Sequence, residues 1–486
     1  DELGNTVLYG HPDAQAILTK IQVENDRLLI LRNTVEGERP AGFVSYREIG
    51  NEDLFGVLKD MELANLVRGK SSREILLIRE DGTGDSGVIR DAPQQLLVEV
   101  LAKELEKNYS FALFVAERGT VTKEVVYVLE RQGFIRPHMA DENDKRTIYM
   151  VDMHEPLMFL HNLDTTIKEP FASNPAVLDA VEKNHKKLQI AMTKLYPGNL
   201  VLSLSSGIMY HRLVDRITAL NDVPREPLVP RRLGKNMCVP FGKILRGKVV
   251  PNTVTKTLHT DKVYEPDLNS FTIEPFPYYS PLKSQIETIK SFDRPVILVD
   301  DLVHTANRLQ VLVPQLREDG IPIKKVVVGV LSGYGRDLMQ CLKVPVESIY
   351  SMPNLRQWFV ESTLYPFIGG DTVRREEMKV AGLQPSINMI LPYATPRLSG
   401  CSREALVEFS ACCIENSRDL FQVLEAEYRK MYAKNLTLSR LSEAVILPLC
   451  PDKGSCMEYD ENLAASVYLE NDLETLWRMK EFLIKG

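Results

Sequence analysis

At 486 residues the chain is long enough for about three domains of ordinary size. Its 44% hydrophobic and 26% charged residues exclude a disordered or fibrous protein. The net charge of −7 excludes a global basic field for nucleic acid or an anionic membrane, while a local basic patch for phosphates remains compatible with it. No apolar run reaches about 18 residues, so no membrane helix and no membrane partner are expected. Seven cysteines are scattered without a CxxC pair; no zinc site is expected, and reduced thiols in a cytoplasm are the simple reading. The chain opens on Asp1 without a leader or an initiator Met, which leaves an upstream domain open.

Residues 1–153 read as one α+β domain. Arg27–Arg32 and Ala41–Tyr46 predict a hairpin turned at Glu36–Pro40. Glu74–Ile78 predicts a strand, followed by a Gly-rich loop over Asp81–Gly87. A long amphipathic helix over Pro93–Lys107 follows, with Leu96, Leu97, Val100, Leu101 and Leu105 on one face. Ser110–Ala116 is a strand, Lys123–Gln132 a helix ended by Gly133, and Thr147–Val151 a last strand. This order resembles the GNAT acetyltransferase fold, which implies an acyltransferase as one alternative function. Two departures oppose that activity. The loop Asp81–Asp91 carries acids that repel a coenzyme A diphosphate, and Leu129 stands where the family often has a Tyr general acid. The domain is therefore expected to work without acetyl-CoA.

Residues 154–198 read as a helical linker: a short helix over Glu155–Leu163 and a longer one over Asn174–Leu195, with Val177, Val181, Leu188 and Leu195 spaced for one face.

Residues 199–370 alternate strands and helices, the pattern of a parallel α/β sheet. Leu200–Leu204 is a strand followed by Ser205, Ser206 and Gly207 and then a helix, a junction whose small residues leave backbone N–H groups open to an anion. Met237–Phe241 is the next strand. The segment Gly242–Ser280, rich in Pro, Thr, Lys and aromatics, reads as a lid or a disordered loop, with Lys243 and Arg246 as its leading basic candidates beside the reading of a solvated charge run. Val296–Val299 is a buried strand ended by Asp300 and Asp301. Asn307–Glu318 is a helix with Leu309, Leu312, Val313 and Leu316 on one face, stopped by Gly320. Strands over Lys325–Leu331 and Val346–Tyr350 and a helix over Gly335–Leu342 follow. Trp358, just past the last strand, is either a core aromatic or a stacking surface, and Asp371 ends a Gly-rich stretch that is either the acceptor side of a cleft or a linker.

The stretch Val296–Arg308 resembles the phosphoribosyl-diphosphate (PRPP) signature of type I phosphoribosyltransferases: four apolar residues, two acids, two apolar residues and a small phosphate loop. The resemblance implies that Asp300 and Asp301 hold the ribose hydroxyls and, through PRPP, Mg²⁺, and that Thr305, Ala306, Asn307 and Arg308 wrap the 5′-phosphate. It also implies that Ser205–Gly207 holds the pyrophosphate, that Lys243 or Arg246 meets the leaving group, and that Trp358 stacks the acceptor. His304, where Asp or Thr is usual, is a candidate general base toward a small-molecule acceptor. Ala306 stands where Gly is commonest and Arg308 where Thr is commonest.

Residues 371–486 read as an all-α tail, a cap or a homodimerisation element, with helices over Arg403–Lys434, Leu438–Ile446 and Ala464–Lys485. The fold class expected is thus α/β: a GNAT-like α+β domain, a phosphoribosyltransferase-like parallel sheet with helices, and an all-α C-terminal region. The leading function is transfer of a phosphoribosyl group from Mg²⁺·PRPP, or binding of a ribose 5-phosphate nucleotide. The alternatives are a non-catalytic regulatory protein that binds the same ligand, and a GNAT acyltransferase.

Overall fold

Residues 27–33, 39–71, 75–83, 92–117, 121–137, 146–230, 232–277, 279–375, 380, 382–396, 398–453 and 459–485 are described by a computed structural model. The chain divides into two units: Asp1–Met158 with Tyr196–Ser203 and Ser351–Gln357, and Phe159–Leu195 with Leu204–Tyr350 and Trp358–Gly486.

In the first unit, β1 (Arg27–Asn33), β2 (Arg39–Ile49), β3 (Ile75–Thr83), β4 (Phe111–Glu117) and β5 (Arg146–His161) lie in that order in one sheet. β6 (Asn199–Ser205) pairs with β5. The pairs β1/β2, β2/β3 and β4/β5 are antiparallel, and β3/β4 is parallel. Among the described residues four α-helices accompany the sheet: α1 (Leu54–Leu58), α2 (Met61–Lys70), α3 (Ala92–Glu104) and α4 (Lys123–Arg131). The strand period of two sends Ile75 and Leu77 toward Leu58 and Val67 of α1 and α2, while Ile78 and Phe114 meet Leu97 and Leu129 of α3 and α4. Both faces are covered, so a fully buried Leu77 contributes about 1.5–3 kcal/mol.

The sequence reading missed α1 and α2, which are short and weakly patterned; Asp60 caps α2 by accepting from the Leu63 N–H at 2.8 Å. The hairpin turn at 36–38 and the Gly-rich loop from 84 to 91 lie outside the described residues. The helix expected over Glu155–Leu163 is corrected: β5 runs on to His161, and only Leu163–Thr165 forms a single 3-10 turn. Leu157, Met158, Phe159 and Leu160 are all buried. A continuous apolar run carries no period that separates a covered strand from a buried helix.

The second unit is built on a sheet ordered β13 (Val346–Met352), β12 (Ile323–Ser332), β11 (Val296–Val303), β7 (Met237–Pro240) and β8 (Val254–Thr255). β11 pairs in parallel with β12 and with β7, and β7 with β8. The β-branched run of β11 is buried from Val296 to Val299, the state of a strand covered on both faces. In chain order the helices of this unit are α5 (Pro175–Leu195), α6 (Ser206–Leu220), α7 (Leu282–Lys290), α8 (Asn307–Glu318), α9 (Gly333–Cys341), α10 (Glu361–Leu364), α11 (Arg403–Tyr432) and α12 (Ala465–Lys485). Leu309, Leu312, Val313 and Leu316 of α8 join Val296 and Leu298 of β11 in the core, as their spacing predicted.

Gly242–Ser280 is corrected from a lid or disordered loop. It contains an antiparallel hairpin of β9 (Thr260–Tyr264) and β10 (Phe271–Pro275). At its turn the Asn269 N–H donates to Asp267 Oδ1 at 2.9 Å, and Leu268 takes a φ of 58°. β9 is extended by β15 (Asp371–Val373), β16 (Gln384–Ile387) and β17 (Leu449–Pro451) into a five-stranded sheet. Between Val346 and Asp371 lies β14 (Gln357–Val360), which carries Trp358. The C-terminal region is mainly helical: α5, α11 and α12 pack together, and β15–β17 are its short strands. Leu438–Glu443 forms a 3-10 helix. Among the described residues no helix is long and apolar enough to cross a membrane.

Candidate functional site

The acid pair of β11 is built into the backbone around it. Asp301 Oδ2 accepts the Lys243 N–H at 2.6 Å and Oδ1 the Ile244 N–H at 3.0 Å. Gly242 leaves the room this needs, since a Cβ there would stand 2.5 Å from Asp301 Oδ1 and 2.7 Å from Asp300 Oδ1. The turn from Lys243 to Lys248 closes on itself, with the Arg246 N–H donating to Lys243 O at 3.3 Å. Ile244 and Leu245 are buried beneath it. Asp301 therefore fixes the segment that presents Lys243 and Arg246.

Asp300 is buried, accepts the Asp301 N–H at 2.9 Å and lies 3.8 Å from Arg308. Burial pushes its carboxyl up to about 7, with Asp301 adding to the rise and Arg308 opposing it. Arg308 also donates to Phe241 O at 3.4 Å.

Three cations meet here. Burial lowers Lys243, with Arg246 and Arg308 repelling its charge and Asp371 and Asp261 opposing. Burial also lowers Arg246, with Arg308 as the largest neighbouring repulsion. The Arg246 guanidinium lies 4.3 Å from the Phe276 ring centre. Among the described residues, no salt bridge neutralises Lys243 or Arg246. Like charges held together and incompletely paired are electrostatically suited to a polyanion.

Asp371 belongs to the same group. Burial raises its carboxyl, and Lys262, Lys243 and Arg308 oppose the rise. Asp261 and Lys262 lie on β9; Lys262 is one of the basic residues of the Gly242–Ser280 segment, whereas Asp261 carried no signal in the sequence.

Ala306 precedes α8 in the left-handed region, at φ 49°, where the family pattern favours Gly. No side chain caps α8, so its first N–H groups face outward without an internal partner. Asn307 Nδ2 donates to Thr305 Oγ1 at 2.8 Å, and Gln310 Nε2 to Thr305 O at 2.9 Å.

His304 and Trp358 lie together, ring centres 4.8 Å apart, with Tyr334 at 5.7 Å from His304. His304 Nδ1 is 2.8 Å from Ser332 Oγ, which leaves Nε2 for another partner. Burial lowers the His304 pKa, which favours the neutral ring. Ser332, which also caps α9 by accepting the Gly335 N–H at 3.0 Å, and Tyr334 carried no signal in the sequence.

The Ser205–Gly207 junction opens α6, whose Met209 lies beside the acid-pair strand: a Cβ on Gly329 would stand 2.1 Å from Met209 Sδ and 2.6 Å from Asp301 O. The junction's strand, β6, is in a different sheet from β11. The Ser205 hydroxyl accepts the Ile208 N–H at 3.5 Å. The buried Ser206 hydroxyl donates to Asp164 at 3.0 Å, which puts an acid beside the expected pyrophosphate loop.

The first unit has a second candidate. β3 and β4 pair only from Leu76–Ile78 to Ala112–Phe114. Beyond that, β3 continues along β2 and β4 along β5, so the two parallel strands part. An apolar hollow lined by Val44, Ile78, Leu97, Phe114, Val125 and Leu129 lies there.

No family model matches the chain, and no curated protein matches it in sequence. Solved structures align with parts of it. The NatC complex bound to Gag peptide and CoA is 10% identical, covers 29% of this chain and 79% of its own, and gives a TM-score of 0.21. An N-acetyltransferase from Staphylococcus aureus Mu50 is 9% identical over 29% of this chain and 76% of its own, with a TM-score of 0.19. A purine phosphoribosyltransferase from Pyrococcus horikoshii Ot3 is 14% identical over 32% of this chain and 87% of its own, with a TM-score of 0.21. At such scores a likeness carries no functional information.

Proposed function

We propose that the second unit binds a phosphorylated ribose of the PRPP type and transfers its phosphoribosyl group to a small-molecule acceptor. The observation that carries this reading is the convergence of Lys243, Arg246 and Arg308 beside Asp300 and Asp301, at an uncapped helix start. In this reading the 5′-phosphate sits on the N–H groups of Thr305–Arg308. Asp300 accepts from the ribose diol. Asp301 also faces the ribose, but its larger task is to hold Lys243 and Arg246 toward the diphosphate, since both its oxygens already accept backbone N–H groups. Mg²⁺ would accompany the diphosphate, offset part of its charge and be held from the protein side by Asp300 and Asp301, whose remaining lone pairs suit a hard cation.

The acceptor attacks C1 as the C1–O bond to pyrophosphate breaks. The charge developing on that oxygen is met by Lys243 and Arg246. The acceptor stacks on Trp358 and gives its proton to His304 Nε2, which Ser332 orients. Pyrophosphate release from PRPP over a panel of acceptors tests the reading. Release that needs an acceptor and is lost in Asp300→Asn/Asp301→Asn supports it. Saturable PRPP binding without release under any acceptor would favour the regulatory alternative.

A second reading concerns the first unit and rests on the parted strands β3 and β4. Their unpaired inner edges offer N–H and C=O groups to an extended amide-bearing chain such as that of coenzyme A, with the apolar hollow beneath for an acyl group. Calorimetric titration with acetyl-CoA tests it. Saturable binding that Leu129→Arg abolishes supports an acyltransferase; no binding removes it.

A further inference from the structure

Three side chains of the second unit, which takes in the end of β5 from Phe159 on, converge. His161 ends β5, His185 lies midway along α5, and Glu361 begins α10. One ligand atom from each lies within 4.8 Å of the other two. We propose that His161, His185 and Glu361 bind a divalent transition-metal ion of the zinc class.

The donor set fits such an ion. Two imidazoles and one carboxylate suit Zn²⁺ or Fe²⁺, whereas Ca²⁺ and Mg²⁺ take oxygen ligands. Three protein ligands leave a position open for water or a substrate oxygen. The absence of cysteine spacing in the sequence therefore excludes only a thiolate site. His161 and His185 are half-buried, which gives an ion a route in, and Glu361 is fully buried.

The support around the three is what separates a built site from an ordinary buried ion pair. Each flanking residue is held by reciprocal hydrogen bonds across elements. Asn162, beside His161, donates to Ser362 Oγ at 2.9 Å, and the N–H of Ser362, beside Glu361, returns a bond to Asn162 Oδ1 at 2.9 Å. Asn184, beside His185, donates to Asn416 O at 2.8 Å, and Asn416 donates to Asn184 O at 3.0 Å. Asn416 also donates to the Tyr365 hydroxyl at 3.0 Å, which donates to Glu361 Oε1 at 3.1 Å. All these supporting residues are buried. Outer groups of this kind fix ligands at metal sites.

A plain His–Glu pair would account for His185 Nδ1 at 2.7 Å from Glu361 Oε1. It leaves two facts over. Glu361 Oε2, 2.6 Å from the same nitrogen but off its hydrogen-bonding direction, is buried without a donor. His161 brings a second imidazole against the first, ring centres 4.2 Å apart and nearly perpendicular. An ion among the three would use both. Asp164, whose charge is felt at Glu361, adds negative potential for a cation.

The full chain, stripped with a chelator, is titrated with ZnSO₄ by calorimetry and with CoCl₂ by visible absorption. The expected result is one ion per chain, cobalt bands of low-coordinate geometry, and a thermal midpoint that rises with Zn²⁺. His161→Gln, His185→Gln and Glu361→Gln should each weaken Zn²⁺ at least about tenfold, and Tyr365→Phe by about 10–100-fold. Wild-type protein that binds no stoichiometric ion overturns the proposal, whatever the folding of the variants. So does stoichiometric binding that survives the ligand variants unchanged, which would place the ion elsewhere, such as on the thiols.

Discussion

Gly242→Ala should show how tightly the acid pair and the basic turn are joined. A Cβ at 242 would stand 2.5 Å from Asp301 Oδ1 and 2.7 Å from Asp300 Oδ1, inside van der Waals contact with both. Asp301 must shift, and one or both of its bonds to the Lys243 and Ile244 N–H groups, now 2.6 and 3.0 Å, must break. A hydrogen bond to a charged group is worth about 1.5–3 kcal/mol and overpacking costs about 1–3 kcal/mol. The two costs share one displacement and do not add fully, so a loss of about 2–4 kcal/mol is expected. Both tryptophans, Trp358 and Trp477, lie in the second unit, so fluorescence during guanidinium unfolding reports that unit alone. The midpoint should fall without a change in slope, and affinity for Mg²⁺·PRPP should fall with it. A wild-type midpoint in Gly242→Ala would refute the placement of Asp301 as the anchor of the turn.

Ala306→Gly should stabilise the second unit by about 0.5–1 kcal/mol, the relief of a left-handed Ala less the added chain entropy of Gly, with PRPP affinity kept; a lower unfolding midpoint would contradict this. Asp300 has its folded pKa raised from 3.8 to about 7, so the folded state holds a proton that the unfolded state has lost between those values. Stability should therefore fall as pH rises from about 4 to about 7 and level off above. Asp300→Asn should gain an advantage over wild type across that same window, read from unfolding midpoints at a series of pH values, and a constant difference would sink the argument. His304→Ala should keep PRPP affinity within about twofold and lower turnover by about 10²–10⁴-fold once an acceptor is in hand; equal losses of binding and rate would leave His304 a structural residue.

What was legible in the sequence was local. Val296–Val299 read as a covered strand because three of its four residues are β-branched and an acid pair follows, and the spacing of Leu309, Leu312, Val313 and Leu316 placed α8 at its observed bounds. Ala306 carries no sequence signal for the left-handed φ of 49° it adopts. Pro, Lys and Thr around 242–280 disguised a hairpin whose pairing partner, β15, is about 110 residues away. Leu157–Leu160 looked helical because an unbroken apolar run has no period. The site divides in the same way. Asp300, Asp301 and Arg308 share one motif, whereas Asp261 and Asp371 meet the cations only through a sheet. His161, His185 and Glu361 are single residues far apart in the chain, with no spacing that marks them.

The central claim is that Lys243, Arg246 and Arg308 receive a diphosphate-bearing ribose. Calorimetric titration of the full chain with Mg²⁺·PRPP, against Lys243→Met/Arg308→Met, tests it most directly. One saturable site per chain is expected in wild type. The double variant should bind at least about 100-fold more weakly, at about 1.5–3 kcal/mol for each lost charged contact and tenfold per 1.4 kcal/mol. No saturable binding in wild type, or equal affinity in the variant, would contradict the account.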